Sequence, residues 1–203
     1  MKGMARPSKR DHVLEAAEQV FADKGYDRAT MRNIADAAEV GLPLVTYHFE
    51  TKLNLYRSIF ERYQYWNEAR REALREVDRA SDDALEQIVD AFLLVGRHDQ
   101  ADTRTANYLR LVLREASDPH GPERNIIADL FDPMAREFIE ALEAVIPGKP
   151  KGFHRWAYLF AVGAYTSTNV GEREEALADG ASNSRDRLQY LHSFICAGIR
   201  HGG

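Results

Sequence analysis

Residues 30–52, TMRNIADAAEVGLPLVTYHFETK, limit the fold of this chain more than any other stretch. Their pattern predicts a two-turn helix, a tight turn and a second short helix. Thr30 suits an N-cap, because its hydroxyl accepts from a free backbone N–H two or three residues on. Residues 32–38 then form the first helix, with Ile34, Ala35 and Ala38 on one face at helical spacing. The two alanines leave room for a neighbouring helix. Glu39, Val40 and Gly41 make the turn. Pro43 suits the first turn of the next helix, where a missing N–H costs nothing and φ is preset. Val45 and Phe49, four apart, anchor that helix to a core, and Leu44, Thr46, Tyr47 and His48 are left to point elsewhere. A helix-turn-helix of this layout presents its second helix to the major groove of DNA.

The rest of the chain reads as helix nearly throughout, with no convincing strand. A first helix is expected over residues 8–24, with Val13, Leu14, Ala17, Val20 and Phe21 on one stripe and Gly25 ending it. A fourth helix starts near Thr51 and is expected to run to about residue 79, becoming a charge-rich solvated connector beyond Trp66. Further apolar helices are expected from Ser81 or Asp82 to Gly96, over residues 102–116, and over residues 123–145, with Pro133 kinking the last. The eighth begins near Gly152, residues 171–184 read as a loop, and the ninth spans residues 185–200. The expected class is therefore all-α. An N-terminal three-helix unit of residues 1–60 precedes a helical bundle of residues 61–203, about nine helices in all.

The net charge of −5 looks unpromising for DNA binding until it is divided. Residues 1–60 hold nine Lys/Arg and eight Asp/Glu, the remainder eighteen and twenty-four, so the two parts are about +1 and −6. Lys2, Arg6, Lys9 and Arg10 precede any acid. Such an arm reaches phosphates or a minor groove, or else is a solubilising tail. Cys196 is the only cysteine, so neither a disulfide within the chain nor a cysteine zinc site is available. A packed cysteine in a reduced, cytoplasmic setting fits. There is no run of apolar residues long enough to span a membrane and no apolar export signal at the start.

The segments GYDRATMRNIADAAEV and GLPLVTYHFETKLNLY resemble the DNA-binding domain of TetR-family transcriptional regulators, over about residues 10–56. The resemblance is carried by Phe21 and Gly25-Tyr26 at the end of the first helix, Thr30 with Ile34-Ala35, and Tyr47-His48-Phe49 followed by Lys52. Thr46 stands where the family commonly has tyrosine, and Pro43 where it commonly has a small residue. The resemblance therefore implies DNA binding without implying an operator sequence. It also implies a larger domain that binds an inducer. RLVLREASDPHG and WAYLFAVGAYTST are weakly similar to a subgroup that responds to fatty acids or their CoA esters.

Candidate DNA-contact residues are Thr30, Arg32, Leu42, Pro43, Leu44, Thr46, Tyr47, His48 and Lys52. Tyr47 and His48 can donate to phosphate oxygens, contacts that orient a protein on DNA, although outside this motif each would be an ordinary half-buried residue. Lys52 opens the fourth helix, where a cation and backbone N–H groups hold one phosphate together, or it is a solvated surface lysine. Thr30 caps its helix in either case. Arg32 either contacts DNA or pairs with Asp36. Leu42, Leu44 and Thr46 meet base edges or thymine methyl groups, or pack on the first helix.

In the larger part, Phe92, Tyr108, Leu111, Arg114, Phe131, Met134, Phe138, Trp156, Phe160 and Tyr165 are candidates to line a pocket for a small apolar molecule. Arg114 could clamp a ligand carboxylate or phosphate. Any one of them could instead be plain bundle core or a surface ion pair. The eighth and ninth predicted helices carry wide apolar faces suited to a two-fold four-helix interface. The partners expected are double-stranded DNA with a near-palindromic operator, a small apolar ligand and a second copy of the chain, with no membrane, cofactor or metal. The sequence contains no G-x-S-x-G, glycine-rich phosphate loop or H-E-x-x-H, and its seven histidines lack metal-ligand spacing. An enzyme is therefore not expected. The reading is a ligand-responsive regulator, most simply a repressor released from DNA by its ligand. A helical lipid carrier without DNA binding is the alternative.

Overall fold

The computed structural model describes the backbone of residues 8–98, 103–170 and 184–203, and most of their side chains. The expected basic arm at Lys2 and Arg6 and the loop over residues 171–183 lie outside the described residues. All regular structure among the described residues is helical. The N-terminal elements are α1 (Lys9–Arg28), α2 (Met31–Ala37), α3 (Leu42–Phe49) and α4 (Lys52–Arg62). They continue as α5 (Gln64–Arg75), α6 (Ala84–His98), α7 (Thr103–Ser117), α8 (Gly121–Arg124) and α9 (Ile126–Leu130). The chain ends with α10 (Asp132–Val145), α11 (Phe153–Val170) and α12 (Ser184–His201).

Helix starts follow local chemistry. Ser8, Thr30 and Thr51 each accept from the backbone N–H three residues on, at 3.1 Å in every case, which satisfies one orphan donor per helix. Gly41 enters α3, with Pro43 in its first turn. Gly25, at φ 74°, kinks α1 and does not end it. One further turn follows, closed by Ala29 N–H on the Gly25 carbonyl at 3.3 Å.

Two expected long helices are broken. The fourth stops at Tyr63, whose φ/ψ of −100°/7° interrupts the helix before α5. Its ring stacks on Tyr108 at 4.0 Å between centroids, and its hydroxyl donates to the buried Glu18 carboxylate at 3.0 Å. Helix over residues 123–145 is divided into three. Asn125 takes a left-handed conformation (φ 56°), which asparagine tolerates better than most residues, and Phe131 (φ −120°) makes the second break. Pro133 then starts α10 and kinks nothing.

Two apolar cores result. Phe21, Ile34, Val45, Tyr56 and Phe60 centre the first, which also takes in Tyr108, Leu111 and Ile126 from the larger part. Ile88, Leu93, Phe138 and Leu142 centre the second, closed by Leu191, Ile195 and Ile199 of α12. Burying each large apolar side chain contributes about 1.5–3 kcal/mol. Beside the first core, where α7 and α8 meet Tyr26 of α1, lies a polar junction. Arg124 donates to both Glu115 oxygens at 3.0 Å and also to Asp118, and Arg124 and Glu115 are both buried. Gly121 makes this approach possible, since a Cβ there would sit 2.6 Å from the Glu115 carbonyl oxygen. Removing one partner leaves the other charge buried and unpaired. Arg124→Met is expected to lower the unfolding free energy by about 3 kcal/mol or more in a urea titration. Exposed Arg136→Met, whose pair with Asp132 is 3.6 Å long and solvated, is expected to change it by less than about 1 kcal/mol.

Candidate DNA-contact face and ligand cavity

One side of α3 is anchored and the other is bare. Val45 and Phe49 are buried against α1 and α4, and the Arg10 guanidinium lies 5.0 Å from the Phe49 ring centroid. Tyr47 is 80% exposed, and Leu42, Pro43 and Thr46 are exposed beside it. Leu44 and His48 are half-buried, and the His48 ring meets Tyr47 edge-on at 5.2 Å. The Thr46 hydroxyl donates to the Leu42 carbonyl at 3.1 Å, which leaves its lone pairs facing outward. On α2, Arg32 is exposed, and the capping Thr30 is exposed at its start. His12 Nε2 lies 3.0 Å from the Ala38 carbonyl and ties the end of α2 to α1. A γ-turn at Glu50 (φ 61°), closed by Thr51 N–H on the Phe49 carbonyl at 2.6 Å, sets the sharp angle between α3 and α4.

Lys52 departs from expectation. Its ammonium turns inward and donates to the carbonyls of Tyr26 and Ala29 at 3.0 and 3.3 Å, and it lies 4.2 Å from the Tyr26 ring centroid. It therefore clamps α4 to the end of α1, with two of its three donors committed to carbonyls. The Arg124 guanidinium from α8 lies over the same tyrosine, 4.7 Å from the centroid. Two cations, one from each part of the molecule, thus share one aromatic ring.

A cavity of about 370 Å³ opens among α5, α6, α7, α9, α10 and α11. Of the expected residues, Phe92, Tyr108, Phe131, Met134 and Tyr165 line it. The other five lie elsewhere. Leu111 is fully buried in the first core and Phe138 in the second. Arg114 is exposed at the end of α7, with its guanidinium near Gly25. Trp156 and Phe160 are 61% and 68% exposed and stack on each other at 5.8 Å, beside an apolar groove shared with Phe194 and Gly198 of α12.

Sequence reasoning missed Trp66, Arg70, Tyr158 and Val162, all in the cavity wall. Arg70 follows Trp66 by four residues, one helical turn, and that spacing could have separated it from the charge-rich run around it. Its guanidinium lies over the rings of Phe92 and Tyr165 at 5.7 and 5.3 Å. Burial raises the Tyr165 phenol above its ordinary range and pushes Tyr158 up to about 12, so both hydroxyls stay neutral at physiological pH. Among the described residues there is no group of three or more potential metal ligands and no helix long and apolar enough to cross a membrane.

Comparison with known proteins agrees with this architecture. The profile described as bacterial regulatory proteins, tetR family, matches residues 13–59, and that described as tetracyclin repressor-like, C-terminal domain, matches residues 94–198. The second covers just over half of the chain. The chain belongs to the TetR family of transcriptional regulators. IcaR, a negative transcriptional regulator of the biofilm operon icaADBC in Staphylococcus aureus, is 24% identical over 189 residues, 90% of this chain and 96% of that one. The transcriptional activator FasR of Mycolicibacterium smegmatis is 42% identical over 60 residues, 30% of this chain but only 27% of FasR. Among solved structures, the fatty acid degradation regulator FadR of Bacillus halodurans has a TM-score of 0.64 at 20% identity, covering 98% of this chain and all of that one. PfmR of Thermus thermophilus has a TM-score of 0.62 at 19% identity, covering 91% and 96%.

The geometry separates Lys52 from Tyr47. Lys52→Met removes two charge-assisted hydrogen bonds and is expected to cost about 2 kcal/mol of stability by denaturant titration. Tyr47→Phe removes an exposed hydroxyl and is expected to change stability by less than about 0.5 kcal/mol.

Proposed function

We propose that this regulator binds a near-palindromic operator as a homodimer, through residues 1–60, and that a small ligand in the cavity of residues 61–203 releases it. Repression is the sign this mechanism gives most directly. The bare side of α3 carries the reading: a short helix held by two buried residues exposes Tyr47, Thr46, Leu42 and Pro43 together, with Arg32 and Thr30 on α2 beside them. Tyr47 and His48 donate to phosphate oxygens, and the outer residues of α3 meet base edges. The second copy joins through α11 and α12, where Trp156, Phe160, Tyr190 and Phe194 are each more than half exposed. Burying such an aromatic face in a four-helix interface removes an apolar patch that monomeric proteins rarely carry. Dimerisation then sets two α3 helices at a spacing of one DNA turn or a multiple.

Release has a physical route. Trp66 and Tyr108 line the cavity, and Tyr63 packs tilted against the first at 4.7 Å and stacks on the second at 4.0 Å. Tyr63 sits at the break between α4 and α5, and its hydroxyl holds Glu18 of α1. A ligand that moves Tyr108 moves the end of α4, and with it α3. It does so only as far as its affinity differs between the two arrangements.

Tests use duplex DNA selected from a randomised pool. Tyr47→Phe is expected to weaken binding about tenfold, two phosphate hydrogen bonds being lost per dimer. Log affinity of the natural chain is expected to fall linearly with log salt concentration. Absence of any salt-dependent DNA affinity would leave a helical lipid carrier as the better reading. Phe160→Glu is expected to give a monomer by sedimentation and to lose most DNA affinity. A dimer that persists would move the interface off α11.

A further inference from the structure

The cavity wall is mostly apolar, with Asn67, Asp132 and Thr166 among its polar members, and its cations fall at two places. Arg136 and Arg155 form one, at the start of α10 and α11. Arg70 forms the other, deeper among the aromatic rings. Arg155 precedes Tyr165 by ten residues on α11, about 15 Å of helix, with Leu159 and Val162 between them. The space therefore extends along α11. At about 370 Å³ it is near the lower end of the usual range for small-molecule pockets, roughly 300–1,000 Å³, and suits one slender chain.

Arg70 differs from its neighbours on α5. Arg71 pairs with Glu137 and Glu68, and Arg75 pairs with Glu68. Among the described residues no carboxylate pairs with Arg70, and its buried Nε has no hydrogen-bond partner. Asp132, the one carboxylate in the described cavity wall, is turned to Arg136. The nearby phenols Tyr158 and Tyr165 are neutral, for the reason given above. A guanidinium over aromatic faces, with a buried N–H unmet, is an incomplete arrangement in a medium of low polarity. An anionic oxygen pair in the cavity completes it, because guanidinium and carboxylate match as two parallel hydrogen bonds.

We infer that the cavity takes an elongated amphiphile with a single carboxylate head, the head seated on Arg70 and the chain running along α11 towards Arg155. This rests on the reading of the cavity as the ligand site and narrows it to a chemical class. The apolar tail supplies contact area, and Arg70 supplies discrimination against uncharged molecules of the same shape.

The test measures binding of decanoate and decanol to the full-length protein by calorimetry. Decanoate is expected to bind about tenfold or more tightly than decanol. Arg70→Gln is expected to cut decanoate affinity about tenfold while leaving decanol within about threefold, and Arg70→Lys to keep part of the preference. The double variant Arg136→Gln/Arg155→Gln is expected to retain the preference. Unchanged thermal melting confirms that each variant folds. Equal binding of the two probes by the natural chain overturns the inference. So does a preference that survives Arg70→Gln, or one abolished only by the double variant. If decanol binds and releases DNA as well as decanoate does, the inference fails and the proposed function stands. If neither probe binds, both fail.

Discussion

The arrangement of the molecule depends on a buried charge cluster where α7 and α8 meet the end of α1. Glu115 ends α7 with 2% of its surface exposed, and Arg124 closes on it from α8. A buried ion pair of this kind adds little net stability, because desolvation offsets most of the attraction. What it fixes is register: a displaced guanidinium would leave a bare carboxylate in an apolar setting. That matters here because Arg124 also covers Tyr26, and Lys52 covers and clamps the same segment from α4. The DNA-facing helices are thus referenced to the cavity-bearing helices through one aromatic ring and its two cations.

A second connection runs parallel to this one and is aromatic. Tyr56, Phe60, Tyr108, Tyr63 and Trp66 form a chain of ring contacts with centroids 4.0–6.1 Å apart. It begins in the core under α3 and ends in the cavity wall. Close-packed rings shift between discrete arrangements and do not deform smoothly. The polar junction and the aromatic chain both join α4 to the larger part, and in the proposed release the aromatic chain is the route from the cavity to α4. Glu18, which accepts from Tyr63 while buried at 4% exposure, fixes the chain to α1.

The parts of the fold that were legible in the sequence are those with local causes. Caps at Thr30 and Thr51, the proline in the first turn of α3 and the spacing of Val45 and Phe49 all act within one or two turns. Distant partners decided what could not be read. Tyr63 breaks a helix whose apolar stripe continues across it, because Glu18 and Tyr108 claim its two ends. Lys52 looked free because Tyr26 lies 26 residues away. The cavity suffered in the same way. Aromatic content pointed to the right region, yet periodicity alone could not separate Phe92, facing the space, from Phe138, packed behind it. Among the arginines, Arg114 stood out at the end of an apolar helix, while Arg70 was lost in a charged run.

Helix α11 joins the cavity to the proposed dimer face. Tyr158, Val162 and Tyr165 line the cavity, while Trp156 and Phe160 lie exposed beside the groove shared with α12. In the proposed dimer one helix is therefore both the wall that a ligand touches and the surface that a second copy touches. An eighteen-residue helix moves largely as a rod, so a ligand that shifts its inner face by a fraction of a side chain shifts the outer face as well. In the proposed dimer the spacing of the two α3 helices is set at that outer face, and small rotations there grow with distance from the two-fold axis. Ligand and operator can then oppose each other through geometry alone, with no contact between their sites.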